Sequence, residues 1–355
     1  MKALIAMSGG VDSSVAAGIM KEKGYDCIGC TMRLYANDMI GADLTDTCCS
    51  LESIEDAKSV TYSMDIPHYV IHYEELFEKE VIEPFVTEYE AGRTPNPCIE
   101  CNRCMKFDHL LDKMKELDCD VVVTGHYAQI EYDDTKKRYL LKKAVDESKD
   151  QSYVLYTLTQ YQLEHTRFPL GGMDKSTTRS IAKEHGFKNA QKHDSQDICF
   201  VPDGDYVTFM ERYRNITYPP GDFIDKDGNV LGKHKGYVHY TIGQRRGLGI
   251  AAAHPLYVVD IKPETNTVVL GKNEDLFEKE LIANRINLIS VPRIEGPMRV
   301  KAKIRYRHKE TDATVTQIDD DTIKVVFDEP QRAITKGQAV VLYDGDVVVG
   351  GGTII

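Results

Sequence analysis

The chain has 355 residues, 42% of them hydrophobic, too long for one small core and too apolar for disorder, so two or three domains are expected. A net charge of -12 argues against a uniformly basic nucleic-acid binder, but residues 1–200 hold 23 basic and 34 acidic side chains and residues 201–355 hold 21 and 22, so the acidity is confined to the first part. No window approaches the roughly 18 consecutive apolar residues of a membrane helix, and Met1 runs into Ala3 to Met7 without a basic leader or cleavage signature, so a cytoplasmic protein is expected.

Residues 2–130 alternate short β-rich runs with helical patterns: KALIAM, SSVAAGIMKEKG, CIGCTMRLY, SIEDAKSVTYSMDI, HYVIHY, a helical stretch near 75–91, FDHLLDKMKEL and VVVTGHYA. This rhythm predicts an α/β fold with an open parallel sheet wrapped by helices, and ligands beyond the carboxyl ends of its strands. From about residue 201 the pattern changes to short strands between Pro-Gly, Asp-Gly and Gly-rich turns with almost no helical periodicity. RVKAKIRYR, ATVTQI, TIKVVF, QAVVLY and VVVGGGTI then predict a series of strands forming a small β-barrel or sandwich. The expected division is a catalytic α/β unit over 1–200, a small central β-rich unit over 201–275 and a C-terminal β-barrel that binds RNA over 276–355.

Strand KALIAM enters Ser8-Gly9-Gly10-Val11-Asp12-Ser13-Ser14 and then a helix, which crowds backbone amides and hydroxyls at a positive helix end and predicts an anion site. The glycines let a phosphate approach, the serines can donate, and Asp12 could hold Mg²⁺. The loop lacks the Gly-Lys-Ser/Thr ending of the Walker type. It resembles the PP-loop of N-type ATP pyrophosphatases, and that resemblance implies cleavage of ATP between its α and β phosphates.

The nine cysteines are an odd set, and in such a chain thiols point to metal or redox chemistry more than to structural bridges. Arg93-Thr-Pro-Asn-Pro97 must be a rigid loop because of its prolines. Behind it Cys98, Cys101 and Cys104 precede a helical pattern at 106–117, with Arg103 and Lys106 near, conditions that favour thiolate. Cys199 stands alone in Asp194-Ser-Gln-Asp-Ile-Cys199-Phe200. Cys27 and Cys30 read as core residues, and Cys48-Cys49 opens a helical segment without an assigned role.

SGGVDSS, TPNPxxxCN, FDHLL, TGHYA, KDQSYVLYTL, DSQDICF and YTIGQRRGLGI together resemble, in order, the tRNA-specific 2-thiouridylase family over essentially the whole chain. The resemblance implies an adenine-nucleotide hydrolase fold, ATP-dependent adenylation at C2 of a wobble uridine through its 2-oxygen, and replacement of that oxygen by sulfur with release of AMP and pyrophosphate. It implies ATP contacts at Ala6, Met7, Ser8, Gly9, Gly10, Val11, Asp12, Ser13, Met32 and Gly125, and target-base contacts at Asn96, Pro97 and Cys98. It makes Cys101 a nucleophile and Cys199 the carrier of a persulfide. Contacts to tRNA fall on His126, Lys149, Asp150, Gln151, Arg305, Tyr306 and Gln338. Its partners are the tRNAs for Lys, Glu and Gln and a persulfide-donating sulfur carrier or cysteine desulfurase.

Many members of the family have Asp where this chain has Cys98, so a competing reading gathers Cys98, Cys101 and Cys199 around an iron–sulfur cluster, with Cys104 in reserve. Zinc on the CxxC is a third reading. Basic residues at every odd position from Arg299 to Lys309 predict one positive strand face for phosphates, which equally describes a solvated barrel face. Lys233-His-Lys235 and Gln244-Arg-Arg246 add charge. Tyr127 or Phe200 could stack on the base or belong to the core. Two alternatives stay open: a PP-loop ligase or amidotransferase acting on a small molecule, and an RNA-binding cluster or metal carrier with a vestigial loop.

Overall fold

The computed structural model describes residues 1–35, 51–192 and 198–355. Strands β1 (Lys2–Ala6), β2 (Asp26–Arg33), β3 (His68–His72) and β4 (Val121–Val123) lie in a parallel sheet of order β3-β2-β1-β4, which the short β7 (Thr166–Arg167) extends beyond β4. Between β4 and β7 a hairpin, β5 (Gln129–Asp133) and β6 (Arg138–Lys142), leaves this sheet.

The apolar run of β1 follows from cover on both faces. Ala3 and Ile5 pack with Val15, Ala16 and Val60 from helices Val11–Glu22 and Leu51–Ser63. Leu4 packs with Leu110, Leu111 and Met114 of helix Leu110–Glu116 on the other face. The chain leaves β1 toward β2 on one side while β4 flanks β1 on the other, so a crevice opens beyond the ends of β1 and β4. The Ser8–Ser14 loop and the Thr124–Gly125 turn meet there.

Next come β8 (Gly221–Ile224), β9 (Val230–His234), β10 (Tyr257–Lys262) and β11 (Thr267–Gly271), a four-stranded sheet of order β10-β11-β8-β9 around Phe223, Val258 and Val268. The expectation of almost no helix after residue 201 does not hold. Tyr206–Arg214 is a helix whose N-cap Asp205 accepts from the Thr208 amide at 3.1 Å, with Val207, Phe209 and Met210 buried. Two turns are too short for their periodicity to stand out in the sequence.

The remaining strands are β12 (Phe277–Leu288), β13 (Met298–Lys303), β14 (Thr311–Gln317), β15 (Ile323–Arg332), β16 (Ala339–Asp344) and β17 (Val347–Ile354). Their antiparallel pairings run β12-β15-β14-β13-β16-β17, and a further β12–β17 pairing closes the barrel, leaving no free edge among the six. Hairpin β5–β6 adds to β17 through Val347 and Lys142, so residues 129–142 join the first sheet's chain segment to the barrel.

The predicted basic face from Arg299 to Lys309 is not one face. β13 ends at Lys303 and a turn follows, so period-two alternation stops there. Arg299 pairs with Asp328 at 2.7 Å and Lys301 with Asp312 at 3.1 Å, which neutralises both. Lys303 lies 5.8 Å from the Tyr153 ring centre and 5.7 Å from that of Tyr306, and burial holds its ammonium below the usual range. Arg305 turns inward.

Phe327 fills the barrel interior at 1% exposure. Phe327→Ala is expected to cost about 3–5 kcal/mol. Hydrogen exchange across 311–327 should rise accordingly, and unchanged protection would contradict the closed packing.

Candidate active site at the sheet and barrel junction

Gly9 carries a φ of +74°, and a Cβ there would collide with the Ser53 carbonyl oxygen, so the loop closes on helix Leu51–Ser63 only with glycine. Ser13 Oγ and Ser14 Oγ each donate to the Gly10 carbonyl at 3.0 Å, and the Ser8 amide donates to Ser13 Oγ at 3.2 Å. Asn189 Nδ2 donates to the Gly9 carbonyl and to Ser14 Oγ, both at 2.9 Å. The cradle is therefore preshaped by its own hydroxyls and by one distant amide. At the base of the loop Thr31 Oγ1 donates to the Met7 carbonyl at 2.8 Å and meets His68 Nε2 at 2.9 Å.

Gly125 sits where a Cβ would come within 2.8 Å of the Asp12 carbonyl carbon and the Ser13 nitrogen. The turn after β4 thus presses on the first turn of helix Val11–Glu22. Asp12 accepts from Lys175 Nζ at 2.8 Å on both carboxylate oxygens and from Tyr127 Oη at 2.9 Å. This corrects the expectation for Asp12: a protein cation already occupies the carboxylate, so as it stands the residue does not fit as a Mg²⁺ ligand.

Tyr127 is 3% exposed and Phe200 1%, with Phe200 between Phe77, Phe85 and Phe209. Both are core residues and neither can stack on a base. His126 is buried beside Phe107 and Phe168, with Nδ1 2.7 Å from Thr124 Oγ1. Burial, then nearby Lys106, lowers its pKa well below the ordinary imidazole value, so it is neutral at pH 7.

Tyr127 and Gln151 exchange two bonds: Gln151 N donates to the Tyr127 carbonyl and the Tyr127 amide donates to Gln151 Oε1, each at 2.9 Å. The neighbouring Asp150 carbonyl accepts from Tyr306 Oη of the barrel at 3.1 Å, and Asp150 Oδ2 accepts from Ser152 Oγ at 2.7 Å. A continuous path runs from Asp12 through Tyr127 and Gln151 to Asp150 and Tyr306. Cys98, exposed, lies close enough to Tyr306 to raise its hydroxyl pKa, after burial and Asp150. Lys149 flanks Asp150 in the same turn.

The Arg93–Pro97 loop docks on the barrel. The Thr94 amide donates to the Lys336 carbonyl at 2.9 Å, and the Thr94 carbonyl accepts from Gln338 Nε2 at 2.7 Å. Asn96 then caps the helical stretch that begins Pro97–Glu100, its Oδ1 accepting from the Cys98 amide at 3.1 Å. Cys101–His109 continues in π-helical turns, a wide form common at functional sites. Arg285 of β12 pairs with Glu100 at 3.0 Å.

Cys101 (9% exposed) and Cys104 belong to the same buried cluster as Phe200, and Cys199, Ile198 and Met32 pack on that cluster. Tyr35 Oη donates to the Cys199 carbonyl at 2.9 Å. Met32 of β2 thus packs both on this cluster and on the cluster of Leu4 and Cys30 within the parallel sheet. The expected thiolate character fails at Cys104, whose thiol burial pushes up to about 12. Cys27 and Cys30 are buried, as read. Cys48, Cys49 and Asp194–Asp197 lie outside the described residues.

The cluster and zinc readings meet a test in exposure and grouping. Cys98 is exposed, Cys101 buried and Cys199 half-buried, and among the described residues no three His, Cys, Asp or Glu side chains stand as a metal-binding set. The thiols as placed do not fit either centre, and no step is routed through one.

Arg305, expected at the tRNA, donates to the Ala333 carbonyl at 2.7 Å, to Thr335 Oγ1 at 2.6 Å and to the Ile242 carbonyl at 3.5 Å. It braces the loop carrying Arg245 and Arg246, both exposed. Lys175, Thr178 and Asn189 are site residues that sequence reading missed. Lys175 and Thr178 lie in the first turn of a helix capped by Asp174, which accepts from the Thr177 amide, and nothing local to them or to Asn189 marks a site.

The chain matches three family models: tRNA methyl transferase HUP domain over residues 1–203, tRNA methyl transferase PRC-barrel domain over 207–272 and aminomethyltransferase beta-barrel domain over 278–354. It is 54% identical over 353 residues to the tRNA-specific 2-thiouridylase MnmA of Clostridioides difficile (strain 630), covering 99% of this chain and 98% of that protein. It is 53% identical over 354 residues to the protein of the same name from Acetivibrio thermocellus, covering 99% of each, and 50% identical over 353 residues to that of Clostridium kluyveri, again covering 99% of each.

Gly125→Ala should push the helix start away from the turn and weaken ATP binding at least tenfold, about 1.4 kcal/mol, with little change in tRNA affinity. Calorimetric titration checks this; ATP affinity within twofold would contradict it. Two histidines at the ends of the sheet, His68 partly buried and His126 buried, set a pH trend. Burial, then Lys58, lowers His68 to about 4, and His126 is also depressed, so the unfolded chain binds protons that the folded chain refuses. Stability present above about pH 6.5 is lost as pH falls toward 4. The denaturation midpoint should be lower at pH 5 than at pH 7, with a smaller drop in His68→Gln.

Proposed function

This chain belongs to the tRNA-specific 2-thiouridylase family, and on that premise we propose that its phosphate loop adenylates a tRNA uridine while Cys199 and Cys101 deliver the sulfur. The chain is an ATP-using tRNA-uridine 2-sulfurtransferase. Two of the matched models carry methyl transferase in their descriptions, whereas the full-length relatives at half identity are thiouridylases and decide the activity.

The observation that carries the residue assignment is the path from Asp12 to Tyr306 beside Cys98, with Met32 packing on the cluster that holds Cys101 and Cys199. Nucleotide and sulfur chemistry then share one junction. ATP lies on Ala6–Ser13 with Met32 and Gly125 beside it, and the wobble uridine is drawn out of its stack to Asn96, Pro97 and Cys98. The uracil O2 attacks the α-phosphorus and pyrophosphate leaves, turning a poor leaving group into AMP.

The terminal sulfur of a Cys199 persulfide attacks C2 and expels AMP. Cys101 thiolate then attacks Cys199 Sγ, the old S–S bond breaks, the sulfur stays on C2 as the thiocarbonyl, and a Cys101–Cys199 disulfide remains. A thiol reductant restores the pair. A sulfur carrier or desulfurase supplies the persulfide, and Mg²⁺ accompanies ATP. The tRNA substrates are those for Lys, Glu and Gln. We assign catalysis to residues 1–200 and tRNA binding to the barrel over 276–355 together with the exposed basic loops of 201–275 that it braces.

For tRNA, exposed Lys235, Arg245 and Arg246 offer phosphate contacts, while Arg305 and Gln338 hold the loops that present them and the target base. Cys199→Ser should abolish 2-thiouridine formation, read by nucleoside mass spectrometry, while tRNA affinity stays within twofold. Thiolation retained in that variant overturns the carrier assignment.

A further inference from the structure

A phosphate loop without a lysine of its own still has to stabilise a departing pyrophosphate. The Ser8–Ser14 loop holds no basic residue. The fold brings one from far along the chain: Lys175, 9% exposed, puts Nζ 2.8 Å from both oxygens of Asp12 in the first turn of helix Val11–Glu22.

The placement is costly by local rules. Lys175 is the first residue of helix Lys175–Glu184, where the dipole is positive and a cation is disfavoured. It is also buried, where an ammonium needs a partner. Its ring neighbour is Tyr127, with Nζ 5.6 Å from the centroid, and Tyr127 Oη donates to Asp12 at 2.9 Å and lies 3.0 Å from the Thr178 hydroxyl, one helical turn after Lys175. Three side chains thereby fix the ammonium at the mouth of the cradle. The Asp12 side chain is 31% exposed against 11% for Lys175, so the pair is open to solvent on its Asp12 side.

We propose that Lys175 is a catalytic residue of the adenylation step, donating from Nζ to the β- and γ-phosphate oxygens of ATP while Asp12 and Tyr127 hold it in place. This rests on the ATP chemistry assigned above to Ala6–Ser13. As the uracil O2–phosphorus bond forms and the bond from the α-phosphorus to the bridging oxygen breaks, the electron pair goes to that oxygen. The ammonium meets the added charge with N–H donors already oriented, as a charge-assisted contact in a largely water-free place. No proton need be transferred. Asp12 then serves as the anchor of this cation.

The test uses full-length protein, ATP, AMP and unmodified tRNA. Wild type must release pyrophosphate in a tRNA-dependent manner; if it does not, the ATP reading itself fails and Lys175 is not at issue. Lys175→Gln is expected to lower affinity for ATP at least tenfold and for AMP less than twofold, and to reduce kcat for pyrophosphate release at least a hundredfold. Lys175→Arg, which keeps the charge but not the ammonium's position, should recover between a tenth and a half of the wild-type rate. ATP affinity and kcat within twofold of wild type in Lys175→Gln would overturn the proposal. Equal losses for ATP and AMP would also overturn it, since they point to a collapsed pocket. If Lys175→Gln does not fold, Lys175→Arg decides: wild-type AMP affinity with a reduced pyrophosphate rate supports the role, and unchanged ATP kinetics contradicts it.

Discussion

Thr94 stands between two parts of the chain, giving its N–H to Lys336 and its C=O to Gln338 of the barrel. Because Pro95 and Pro97 leave the loop few conformations, that single main-chain clamp fixes where Asn96 caps the next helix and hence where Cys98 and Cys101 point. The sheet cannot place these thiols alone. The barrel acts as a jig for the catalytic loop, and the Arg285–Glu100 pair repeats the tie one turn on.

A second tie runs through the nucleotide side. Tyr127 gives its hydroxyl to Asp12 and its backbone to Gln151, and the next residue back, Asp150, accepts from Tyr306. Any shift of the barrel against the sheet would strain both the phosphate cradle and the target-base loop. Buried neutral His126 and the Thr31–His68 pair keep the ends of β4 and β1 rigid beneath the cradle.

The alternating sheet and the barrel strands were legible because both carry regular apolar periods: KALIA is buried on two faces, while ATVTQ alternates. The phosphate loop was legible because seven suitable residues stand together between a strand and a helix. What stayed hidden depends on contacts between distant segments. Lys175 and Asn189 reach the loop from far along the chain, and no local pattern announces either. The basic stripe misled because period two was extended past Lys303, where the strand ends, and because Asp312 and Asp328 on other strands neutralise the charges. Residues assigned to tRNA divided similarly: Arg305 and Gln338 are committed inside the protein, whereas Lys235, Arg245, Arg246, Arg307 and Lys309 are exposed.

Cys101 and Cys199 pack on one buried cluster, and the roles proposed for them require both to act on a single adenylated uridine. The most direct test is a single turnover without reductant, with ATP, tRNA and persulfide-loaded protein, followed by peptide mapping. A Cys101–Cys199 disulfide formed in proportion to 2-thiouridine is the predicted result. Full thiolation with both cysteines recovered as thiols would contradict the account.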